Sequence, residues 1–147
     1  MFLAAIMVLS IFAMAGSFAG AAAAAPANGV TGANVDDVDV TTGDETASLN
    51  ITKNSSSTDS INFTLVSSVE GVSLDNVNAS NDLVTQANDT DDYRVYDIDL
   101  NDTANPLPVG DYTVYAAGWN STGDSPIEVN STNFQASDTF TVGGLEV

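Results

Sequence analysis

The residues best suited to chemistry in this 147-residue chain are asparagines with Ser or Thr two positions on, and clustered aspartates. Residues 28–147 hold 14 Asn and 28 Ser or Thr. Chance placement of those would give about three Asn-x-Ser/Thr triplets. Eight occur, beginning at Asn50, Asn54, Asn62, Asn78, Asn88, Asn101, Asn120 and Asn130, and none has proline in the middle. In an exported chain each such amide is an acceptor for N-linked sugar, provided it faces water.

The aspartates gather as Asp36-Asp37-x-Asp39, Asp89-x-Asp91-Asp92 and Asp97-x-Asp99-x-Asn101-Asp102. Hard cations such as calcium or magnesium take oxygen ligands of this kind. The last cluster opens like an EF-hand loop, but it lacks glycine at the sixth position and has Pro108 where the bidentate glutamate belongs. Asp89, Asp91, Asp92, Asp99 and Asp102 are therefore weak candidates for a loosely held divalent ion, set against a plain solvated acidic face. No cofactor is expected beyond that. Paired carboxylates also serve glycosidases, yet a domain of this size with no evident cleft argues against catalysis. Tyr115 and Trp119 share one parity and would form a sugar-stacking platform if both rings were open. The plainer reading has them covered by a loop or a neighbouring domain.

Several classes fall away on composition. Cysteine and histidine are absent, which removes disulfides, thiol nucleophiles, imidazole ligands and histidine-dependent triads. Lys53 and Arg94 are the only cations beside 20 carboxylates, giving a formal charge of −18. Neutralising phosphates needs clustered Lys or Arg, so nucleic acid is not an expected partner. Such a surface repels itself in dilute buffer. In molar salt the screening length falls to about 3 Å and the repulsion fades. The acids alternate with β-branched and aromatic residues instead of forming blocks, so they read as a folded, salt-adapted surface and not as a disordered tail.

The elements that must position these groups are strands. Residues 35–40, 46–52, 60–66, 69–74, 83–87, 93–100, 111–118, 127–130 and 138–142 are short alternating runs, separated by Asn, Asp, Gly, Ser and Pro. Period-2 alternation points successive side chains to opposite faces. One face then collects Ala47, Leu49 and Ile51, Ile61, Phe63 and Leu65, Tyr96, Ile98 and Leu100, with Phe140 and Val142. Asn50, Asn62, Asp97 and Asp99 fall on the other. The expected fold is an all-β, antiparallel sandwich of 7–9 strands over 35–143, with a flexible lead-in at 28–34 and a short tail at 144–147.

The first 27 residues differ in kind: none is charged and 22 are apolar or aromatic. An apolar run leading into small residues is the layout of a secretory signal, here a hydrophobic helix cut near Ala23–Ala24 or after Ala27. A retained anchor and a pilin-like stem are the alternatives, since about 20 apolar residues span a bilayer. A signal usually opens on Lys or Arg, and none stands beside Met1. The expected remedy is a true start upstream. Export is common to all three readings.

Two resemblances follow from these residues. The run PLPVGDYTVYAAGW resembles the corner before the penultimate strand of immunoglobulin-like sandwiches, with Tyr112 as the corner tyrosine and Val114 where antibody domains place a cysteine. The leader FLAAIMVLSIFAMAGSFAGAAAAA resembles that of haloarchaeal surface-layer glycoproteins. That resemblance implies an acidic, N-glycosylated, immunoglobulin-like body at the cell surface, although members of the class are usually longer. They also end in a threonine-rich stalk and a hydrophobic helix, whereas this chain ends in TVGGLEV. The function expected is a non-catalytic secreted or cell-surface glycoprotein, a component of the envelope or an adhesion module of a halophilic archaeon. The alternative is a carbohydrate-binding module using Tyr115 and Trp119. Expected partners are other envelope proteins, glycans or a second copy, with a membrane only through an uncleaved N-terminal helix.

Overall fold

The computed structural model describes residues 27–39, 46–68, 83–100 and 108–143. The leader up to residue 26, the expected strand at 69–74, Asn78, Asn101, Asp102 and the tail at 144–147 lie outside the described residues. Within them are eight strands: β1 (Val30–Val35), β2 (Val38–Asp39), β3 (Thr46–Lys53), β4 (Ser60–Ser67), β5 (Val84–Asp89), β6 (Tyr93–Asp99), β7 (Gly110–Trp119) and β8 (Ala136–Gly143). Among the described residues no helix is long and apolar enough to cross a membrane.

Alternation builds these strands as anticipated. Ala47, Leu49 and Ile51 of β3 are buried while Thr46, Ser48, Asn50 and Thr52 are exposed. Ile61, Phe63 and Leu65 of β4 are buried, as are Tyr96 and Ile98 of β6 and Phe140 and Val142 of β8. The strands form two sheets, in the orders β1-β3-β6-β5 and β2-β8-β7-β4. Their apolar faces meet in one core, where the rings of Phe63 and Tyr96 lie 5.1 Å apart. Lettered from A to G, with β2 a continuation of A, the sheets read A-B-E-D and C-F-G with β2 beside G. That is the immunoglobulin-like order. Every pairing is antiparallel except β2 with β8, which is parallel, so the sandwich is not antiparallel throughout.

The corner before β7 takes the expected form. Gly110 has a φ of 151°, which favours glycine. Tyr112 is buried, and its hydroxyl donates to the carbonyl of Pro108. Its ring stacks on Phe140 at 5.4 Å, and burial pushes its phenol pKa up. Val114 is fully buried two residues on.

Three sequence expectations are corrected. Residues 28–34 are not a flexible lead-in, because β1 begins at Val30, whose side chain is fully buried. A register shift between Val30 and Gly32 lets Val30 and Val35 face inward from one strand, despite their odd separation. The single strand expected at 35–40 is two strands that serve different sheets. Acidic side chains hold this crossing: Asp138 accepts from the Val35 amide and Asp37 from the Thr141 amide, both at 2.8 Å. Residues 127–130 are no strand either. Pro126 removes a donor, and the Asn130 side chain captures the amides of Thr132 and Asn133, which turns the chain.

Candidate functional site

The six described acceptor triplets all begin outside the core. Asn50 projects from the outer face of β3, Asn88 lies on β5, and Asn54 and Asn130 sit in turns, all four exposed. Asn62, on the outer face of β4, and Asn120, just after β7, are half-buried. Their local geometries differ. The side-chain carbonyl of Asn120 accepts from the amide and hydroxyl of Thr122, at 2.9 and 2.6 Å. Asn130 does the same with Thr132, at 2.9 and 2.7 Å. Elsewhere the triplet's groups are engaged otherwise. Thr64 donates to the Val129 carbonyl at 2.9 Å, Thr90 donates to the Tyr93 carbonyl at 3.1 Å, and Asn54 donates toward the Ala27 carbonyl at 3.5 Å.

The segment 120–135 joins β7 to β8 and lies over the outer face of their sheet. Thr64 reaches it through Val129, and Tyr115 packs its ring against Phe134 at 4.9 Å. Val129 and Ala117 are buried there, apart from the main core. Gln135 anchors its far end. Its side-chain oxygen accepts from the amides of Val30 and Gly118, both at 2.9 Å, and its nitrogen donates to the Gly118 carbonyl at 3.2 Å. Asp59 anchors its near end by accepting from the amide and hydroxyl of Ser121 at 2.7 Å, and those bonds hold its carboxyl below the usual range. Phe134 occupies the ring of Tyr115 from one side. Trp119 stands four strand positions away, about 13 Å along β7. The two rings share a face by parity, and both residues are half-buried.

The third feature is ionic. Lys53, at the end of β3, and Arg94, near the start of β6, both converge on Asp89, at the end of β5. Lys53 Nζ donates to Asp89 Oδ1 at 2.5 Å and to the Thr90 carbonyl at 2.7 Å. Arg94 Nη2 donates to Asp89 Oδ2 at 2.8 Å and to the Asp59 carbonyl at 2.9 Å. Arg94 is a buried residue, and among the described residues its Nε has no hydrogen-bond partner. The Arg94 hydrogen bond, with that of Lys53 added, holds the Asp89 carboxyl below its usual pKa. Asp89 bonds in turn lift Arg94 against the opposing effect of burial.

This arrangement bears on Asp89 as a cation ligand. Both its oxygens already accept from cations, so a divalent ion would meet two positive charges at its ligand. Asp91, Asp92 and Asp99 are exposed. Among the described residues no three His, Cys, Asp or Glu gather into a group able to hold a metal. Arg94 was missed as a structural residue, although it shares the inward parity of Tyr96 and Ile98. Gln135 and the buried Thr58, which donates to the Gly29 carbonyl at 3.1 Å, carried no periodic signal.

A hollow of about 490 Å³ lies beside β8, lined by Asp37, Asp111, Thr139, Phe140 and Thr141. Its two carboxylates both accept from Thr141, one from the amide and one from the hydroxyl. No protein-family model, curated protein or solved structure matches the chain.

Proposed function

We propose that the chain is an exported, N-glycosylated module of the cell envelope or of an adhesin, without catalytic activity, in a halophilic archaeon. The observation that carries this reading is the placement of the acceptor asparagines. All six described ones stand on outer strand faces or in turns, so a bulky glycan meets no core residue. The acid distribution agrees with it. Most of the described carboxylates are exposed, and there they hold water and cations in strong salt while their mutual repulsion is screened. The mechanism is passive: two packed sheets hold sugars and carboxylates in fixed positions. Intact mass and N-terminal sequencing of the native protein test it together. Added hexose-scale mass on a chain lacking its first 23–27 residues is the expected result. A native chain that begins at or before Met1 and carries no added mass would overturn it.

A further inference from the structure

The eight triplets are alike in sequence, but the described six are unequal once folded. A transferase must seize the asparagine and the hydroxyl two residues on together, with the backbone between them. Asn50 lies on β3, which is hydrogen-bonded on one side to β1 and on the other to β6. Strand geometry also sets Asn50 and Thr52 about 6.6 Å apart along the chain. Enzyme access there needs the sheet to open. Asn62 is half-buried, and its partner Thr64 is committed to the Val129 carbonyl. In the triplet at Asn88, the carbonyl oxygen takes the Asp89 amide and Thr90 donates to the Tyr93 carbonyl. Asp89 itself is gripped by two cations. The Asn54 nitrogen points at the Ala27 carbonyl.

Asn120 and Asn130 differ from the triplets at Asn50, Asn62 and Asn88, although Asn120 is half-buried and its middle residue Ser121 is held by Asp59. In each, the carbonyl oxygen receives both the amide and the hydroxyl of the threonine two positions on. The side-chain nitrogen donates no hydrogen bond among the described residues. The turn thus sets the threonine hydroxyl beside the reacting amide in the folded protein, and two donors on the carbonyl oxygen make the amide protons easier to lose.

We propose that Asn120 and Asn130 are the acceptors the folded domain presents, so that a transferase acting after folding places two glycans on the 120–135 connection. The donor is an oligosaccharide linked through phosphate to a lipid. The Asn side-chain nitrogen bonds to the sugar's anomeric carbon, the carbon–oxygen bond to phosphate breaks, and the lipid phosphate leaves as its anion. The nitrogen gives up one proton to a base. The triplets at Asn50, Asn62 and Asn88 react only while the chain is open. This rests on the glycoprotein reading and adds which residues serve and when.

The test uses the chain made in a host without glycosylation machinery and folded in molar salt. It is mixed with a single-subunit oligosaccharyltransferase and a short lipid-pyrophosphate-linked oligosaccharide. Synthetic peptides spanning each triplet are run in parallel, with site occupancy read by glycopeptide mass spectrometry. In the folded domain, Asn120 and Asn130 should react at least about a hundredfold faster than Asn50 and Asn62, because those sites wait for the sheet to open. Among peptides the rates should agree within several-fold. Equal rates at Asn50 or Asn62 in the folded domain would overturn the assignment. So would silence at Asn120 and Asn130 while their peptides react, or silence of every peptide. A native protein bearing no glycan would defeat the envelope reading and leave this ranking standing.

Discussion

The triplets Asn88-Asp89-Thr90 and Asn130-Ser131-Thr132 share a pattern and do different work. The first is woven into the fold by long-range bonds, because its central Asp89 receives Lys53 from β3 and Arg94 from β6. The second closes on itself, with every bond of the Asn130 carbonyl reaching no further than three residues. One is a clamp between strands, and the other is a turn that leaves its amide nitrogen outward. An acceptor motif in sequence is therefore a statement about composition. Its availability depends on what the middle residue and the hydroxyl are already doing.

The difference is testable by removing each region's key contact. The largest effect is expected for Arg94→Met, which strands Asp89 with one cation and takes away the donor to the Asp59 carbonyl. Breaking a buried pair typically costs about 3–5 kcal/mol. Asp89 is about one-third exposed, so we expect a loss of about 2–3 kcal/mol in denaturant unfolding. Adding Asp89→Asn should recover part of it. A change under 0.5 kcal/mol on the single variant would mean that the clamp holds nothing.

Next comes Gln135→Leu, which leaves the Val30 and Gly118 amides without their acceptor. A loss of about 2 kcal/mol is expected in the same measurement. Amide exchange should quicken across 120–135 while β3 and β6 stay protected. Uniform deprotection would show that the connection and the sheets unfold as one.

Acid offers a smaller and reversible version of the Arg94 experiment. Asp89 has a depressed pKa in the fold, so it binds its proton more readily when unfolded. Its contribution is full above the ordinary aspartate value of about 3.9 and fades as pH falls through the lower folded value. The wild-type chain should lose stability across that window more steeply than Arg94→Met, with salt held constant. Parallel slopes would remove the ion pair from the account. The smallest effect belongs to Thr132→Val, which breaks only an exposed local turn. Stability should move by less than about 0.5 kcal/mol, and the Asn130 triplet should stop accepting sugar. A large loss of stability would show that the turn is structural after all.

Particular residues mark how far sequence reading reached. Alternation placed Leu49, Phe63, Ile98 and Val114 inside, where all four are buried. It also kept Asn50 and Asn62 off the core, and the Gly-Asp-Tyr run foretold the Tyr112 corner. It misjudged β1, because a bulge shifts the period and hides Val30 in what looks like a linker. The hydrophobic alternation at 127–130 misled for another reason: Val129 is buried against the outer face of a sheet, and among the described residues this run pairs only through the isolated bridge of Asn130 with Asn133.

Side-chain direction along a strand is a local property, set by the pleat and repeated every second residue. Sequence by itself therefore determined the class of fold, which faces are dry, and that the described acceptor asparagines stay off the core. Tertiary structure alone decided that Lys53, Asp89 and Arg94 meet, and that 120–135 lies over β4 and β7. It also decided that the triplets at Asn120 and Asn130 are folded back on their own threonines. Those facts depend on which strands pair and in what register, and register is fixed by contacts between residues far apart in the chain.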